Sequence, residues 1–132
     1  MLSQDCVREL RSHWLPNMSD GGLNRLVELL ETNSPLLIRG AYTRAMPMGC
    51  LATHVAWHHP ETCHLTLDAG IHWLSRVAKL NPATSRVIRE WDAIGPQNMH
   101  MRADLLQLLH EEKRRRRARP ESQTQAKKVV RV

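Results

Sequence analysis

The chain contains no phenylalanine and a single tyrosine, and its three cysteines never stand as a close pair, so there is no C-x-x-C. H-E-x-x-H, a nucleophile elbow, a Gly-rich phosphate loop and a kinase-like set are absent as well, which leaves an enzyme as the least supported class. No apolar run approaches the length of a bilayer span. The N-terminal stretch MLSQDCVRELRSHW is charged throughout and lacks the apolar segment of a signal peptide. Cytoplasmic residence is therefore the expectation, with the three cysteines as thiols in a reducing compartment and no membrane partner.

What is present is a 132-residue chain with 42% hydrophobic residues, enough for one domain with a modest core. Its charge is uneven. Residues 113–132 hold nine of the 19 Lys and Arg and one of the 13 acids, leaving ten basic and twelve acidic groups in residues 1–112. The C-terminal part is thus +8 and the rest −2, so the high isoelectric point belongs to the end of the chain. Six of the cations, Lys113, Arg114, Arg115, Arg116, Arg117 and Arg119, fall within seven positions. A helix end accommodates some of them, because cations suit a helix C-terminus, and Glu111 and Glu112 stand four residues before Arg115 and Arg116. Six exceed that need.

The second concentration is Met46 to His72, which carries Cys50, His54, His58, His59, Cys63, His64, Asp68 and His72. Pro47 suits a first helical position and Pro60 disfavours helix at the residue before it, so the spacing predicts a helix from about Pro47 to His58. At about 100° per residue Cys50 and His54 share a face. Together with Cys63 and either His58 or His64 they have the spacing of a four-ligand site for zinc or iron. Packing offers a plainer account: Cys50 as a small buried hydrophobe, His54 hydrogen-bonded locally and the others on a surface turn. Asp68 and His72 carry ordinary i,i+4 ion-pair spacing.

The remaining pattern is helical. Ser3 caps a first helix ended by Pro16, and Ser19 caps a second in which Leu23, Leu26, Val27 and Leu30 recur at i, i+3, i+4, i+7. Ser34 and Pro35 begin a short third helix over Pro35 to Ala45, interrupted by Gly40. Thr66 caps a helix with Leu67, Ile71, Leu74 and Ala78 on one face and Trp73 and Val77 widening it. Asn81 and Pro82 begin the next, with Val87, Ile88 and Trp91 inward; its approach is helix-turn-helix-like, but the net negative body argues against a recognition helix. The last helix starts near Met99 or Arg102 and runs into the basic stretch with Met101, Leu105, Leu108 and Leu109 buried. The sequence therefore predicts an all-α, small single-domain bundle of about five or six short helices over residues 1–117. Residues 118–132 have the composition of a disordered basic tail.

Two functions fit. One is a small non-enzymatic binding or regulatory module whose Arg-rich end contacts an anionic partner, nucleic acid without base specificity or an acidic protein. The other is a metal-binding or thiol-sensing helical domain centred on Cys50, His54, Cys63 and His64. If all six clustered cations neutralise phosphates, the first predicts a salt slope near −5 for duplex DNA, about 0.9 per phosphate.

Overall fold

Six helices carry the described part of the chain, residues 2–118 of a computed structural model. Helix α1 (Gln4–Glu9) begins as predicted, with the Ser3 hydroxyl accepting the Cys6 amide at 3.1 Å. It continues into a wider π turn over Leu10–Trp14 and a 3-10 turn over Leu15–Asn17, where Pro16 lies. Helix α2 (Asp20–Glu31) is capped by Ser19, whose hydroxyl accepts the Gly22 amide at 3.0 Å. Its buried face is the predicted one, Leu23, Leu26, Val27 and Leu30, widened by Leu29.

Helix α3 (Leu51–Trp57) is the centre of the domain: residues 51–56 are all buried, and it packs against α2 and against α4 (Ala69–His72). The crossing with α4 is close enough to need a residue without a side chain. A Cβ on Gly70 would stand 2.6 Å from Thr53 Oγ1 and 2.9 Å from the Thr53 amide nitrogen. A π turn, Trp73–Val77, prolongs α4 and brings the Trp73 ring to 5.3 Å from Trp14, tilted at 59°. Helix α5 (Arg86–Ile94) packs on α1, and α6 (Met99–Ala118) lies along α2.

The all-helical prediction holds for the described residues, which contain isolated β-bridges but no strand. Leu26, Leu30, Leu74, Val77, Val87, Trp91, Leu105 and Leu108, expected inside from periodicity, are all buried. No helix of the described residues is long and apolar enough to cross a membrane.

Four local expectations fail, each because a tertiary contact outweighs a local signal. The helix over Pro35 to Ala45 does not form. That segment is a loop of turns and two isolated bridges, Leu37 with Gly49 and Thr43 with Gly49. Its carbonyls are satisfied by side chains from elsewhere: His54 Nε2 lies 2.8 Å from the Leu36 oxygen, Trp91 Nε1 donates to Ile38 at 2.7 Å, and Thr53 Oγ1 donates to Tyr42 at 2.7 Å. With those partners the backbone has no need of a helical ladder.

The loop also takes the first turn from the next element. The Cys50 amide donates to Tyr42 at 2.9 Å, so α3 starts at Leu51, and Pro47 follows a cis peptide bond outside it. Thr66 is not the cap of α4; Asp68 occupies that position. The buried face turns toward Trp73, the largest side chain available, leaving Leu67 61% and Ile71 38% exposed. Finally, Asn81 makes a local turn by accepting the Ala83 amide, and α5 begins only at Arg86. The Ser85 hydroxyl caps it by accepting the Ile88 amide. The Glu9 carboxylate adds a second cap from α1, accepting the amides of Arg86 at 2.7 Å and Val87 at 3.2 Å.

Candidate functional site

The Cys/His segment divides between the core and the surface. Cys50 and His54 are buried, whereas His58, Cys63 and His64 are exposed on the turn after α3. The Cys50 sulfur faces Thr53 Oγ1 at 3.7 Å, and the Cys63 thiol points to the Pro60 carbonyl at 3.8 Å. Among the described residues no three His, Cys, Asp or Glu side chains gather in an arrangement that could hold a metal ion. The structure thus does not bring Cys50, His54, His58, Cys63 and His64 into one ligand set. Asp68 and His72 do meet, at 3.0 Å on the surface.

Nucleophilic chemistry fares no better at the buried thiols. Burial pushes the Cys50 thiol upward against weaker help from Thr53, and burial with the nearby Glu90 and Glu9 raises Cys6 to about 12. Both are held as thiols near neutral pH, and a thiol is the unreactive form.

His54 has a structural task that its spacing does not reveal. One nitrogen holds the loop at Leu36, and the ring stands edge-on to Trp57 at 5.4 Å. Burial lowers its pKa below the usual histidine value, Arg25 and His58 add to that, and the hydrogen bond to Leu36 opposes it. The unfolded chain therefore takes up the proton first as pH falls. His54 contributes its full stability above about pH 6.5 and loses it below, at most about 1.4 kcal/mol per pH unit. Denaturation of the protein and of His54→Gln between pH 7.5 and 5 should show a smaller pH dependence in the variant. Parallel curves would mean that His54 does not titrate within this window.

The basic run is likewise divided by the fold. Arg116 turns back onto the body, where its guanidinium reaches Glu112 Oε2 at 2.7 Å, Asp20 Oδ1 at 2.8 Å and the carbonyls of Leu15 and Met18 at 2.8 and 2.9 Å. Glu112 is only 3% exposed and also pairs with Arg115. Glu111 does not meet Arg115 as its spacing suggests; it faces Arg11, in the π turn after α1, at 3.6 Å. Lys113, Arg114 and Arg117 make no ion pair or side-chain hydrogen bond among the described residues, and Arg114 and Arg117 are exposed. Arg119 lies outside the described residues.

These placements leave a cationic helix end rooted in the domain, with Arg114 and Arg117 presented outward. Comparison of the chain with protein-family models, curated proteins and solved structures gives no match. Sequence reasoning missed the anchoring role of Arg116. The available signal was Asp20 at the start of α2, an acid with no partner of its own within helical reach. Its pairing depends on a contact across 96 residues.

Proposed function

We propose that this protein is a small non-enzymatic helical binding module that contacts nucleic acid through the end of α6 and the residues that follow, by charge neutralisation and without base readout. The observation that supports it is the division of the basic run. Two cations are engaged by Glu112, while Lys113, Arg114 and Arg117 are left without a partner among the described residues on a helix fixed to the body. Cations held out in this way suit a polyanion, whose condensed counterions they release.

The same division changes the expected magnitude. With Arg115 and Arg116 occupied, four cations of the run remain, so log affinity for duplex DNA against log salt should have a slope nearer −4 than −5. Fluorescence anisotropy with labelled duplexes of unrelated sequence, between about 50 and about 200 mM salt, measures it. Binding should be similar among sequences and weaken steeply with salt. Salt-insensitive binding, or none at low salt, would overturn the proposal, and an acidic protein would then be the partner to seek.

A truncation that tests the charge must spare the fold. Cutting after residue 112 removes Arg116 and the last turns of α6 along with the cations. Cutting after Ala118 keeps every described residue and removes Arg119, Lys127, Lys128 and Arg131.

A further inference from the structure

Resting on that nucleic-acid reading, we infer that the partner is a duplex, met at its phosphates by the already formed C-terminal turns of α6. Lys113, Arg114 and Arg117 are the contact residues, and Arg116 is a positioning residue. Two independent observations lead here.

The first is how α6 is held. Arg116 closes four hydrogen bonds onto Glu112, Asp20, Leu15 and Met18, joining the end of α6 to the 3-10 turn and to the start of α2. Five donors in a planar fork suit donation to several oxygens at once, which a lysine ammonium does not reproduce. At about 100° per residue Lys113, Arg117 and Arg114 occupy an arc of roughly 100°. Leu105, Leu109, Glu112 and Arg116, which face the body, fall at roughly 260° to 320° with Lys113 at zero, adjoining Lys113 and turned away from Arg114. Lys113 and Arg117 are one turn apart, about 6 Å along the axis. The cations thus form a surface whose geometry is set before any partner arrives, unlike a flexible arginine segment that must order as it binds.

The second is where the aromatic residues are. Proteins that prefer single strands combine cations with aromatic side chains on which bases stack. All five aromatic residues precede α6: Trp14, Trp73 and Trp91 are fully buried, and Tyr42 and Trp57 are partly buried in the loop and in α3. From Met99 to Val132 there is no Trp, Tyr or Phe. The cationic face has no Trp, Tyr or Phe on its own helix or beyond it on which an unstacked base could stack. Its main attraction is to phosphate, and phosphate density is highest on a duplex.

The experiment compares the full-length protein with Lys113→Gln/Arg114→Gln/Arg117→Gln and with Arg116→Gln. Each binds a 20-base-pair DNA duplex and, separately, one of its strands across a salt series. The duplex should bind several-fold tighter than the strand. The triple variant should fold normally, since its side chains make no ion pair or side-chain hydrogen bond among the described residues, and its salt slope should fall by about 2.7. Arg116→Gln should weaken binding at every salt concentration while leaving the slope unchanged. If it does not fold, the triple variant and the strand comparison still decide.

A single strand bound as tightly as the duplex overturns the inference, as does an unaltered slope in the triple variant. A slope reduced by about 0.9 in folded Arg116→Gln would also do so, because Arg116 would then be a phosphate contact. In each of these cases the module reading stands, since nucleic acid is still bound. If the full-length protein binds neither probe at low salt, both fall.

Discussion

Leu74→Ala is expected to lower the unfolding free energy by about 2–5 kcal/mol, measured by urea denaturation. Leu74 is fully buried in the π turn that prolongs α4, the helix that packs most closely on the central α3, in the same cluster as Trp14, Trp73 and Val55. Truncating it removes the transfer free energy of three methyl and methylene-sized groups. It also leaves a cavity in a close-packed core, whose surroundings relax only in part. The contrast with Ile71 makes the test specific. Ile71 lies three residues earlier and was expected on the same face, but it is 38% exposed, so Ile71→Ala should cost under about 1 kcal/mol. Equal losses at the two positions would mean that α4 is rotated from the orientation described.

Arg116→Ala should cost about 3 kcal/mol, a large effect for one member of an arginine run. The substitution strands Glu112, whose carboxylate is 3% exposed, and leaves the Leu15 and Met18 carbonyls without their donor. Breaking a buried pair from one side costs about 3–5 kcal/mol, because the remaining charge stays desolvated. Arg115 still reaches Glu112, which places the expectation at the lower end. Arg114→Ala, two positions away and exposed, should change stability by less than about 0.5 kcal/mol. Thermal or urea unfolding of the two variants side by side checks the assignment. A loss below about 1 kcal/mol for Arg116→Ala, the scale of a surface pair, would return Arg116 to the solvent-facing cations.

Much of the fold was legible because the signals are local. Ser3 and Ser19 cap helices three residues ahead of them, and the apolar stripes of α2 and α6 recur within one or two turns. The failures come where a single residue serves a distant partner. The loop before α3 reads as a helix from Ser34, Pro35 and the apolar triplet Leu36–Ile38, because nothing nearby discloses that His54, Trp91 and Thr53 will take its carbonyls. His54 itself reads as a metal ligand by its spacing from Cys50, and only the loop's position gives its nitrogen another occupation. Asn81 reads as the cap of α5, but a carboxylate on α1 competes for that helix start.

By itself the sequence determined the helical class, the main core residues, two of the helix caps and the concentration of cations at the end of the chain. Each depends on residue type and on spacing within about four positions, the range over which a helix brings side chains together. Tertiary structure decided which of those cations are available. Arg115, Arg116 and Arg117 are adjacent and chemically identical, so no local rule separates them. Their 100° steps around α6 aim Arg116 at Asp20, Leu15 and Met18 and Arg117 at solvent, and the difference exists only once α6 lies along α2.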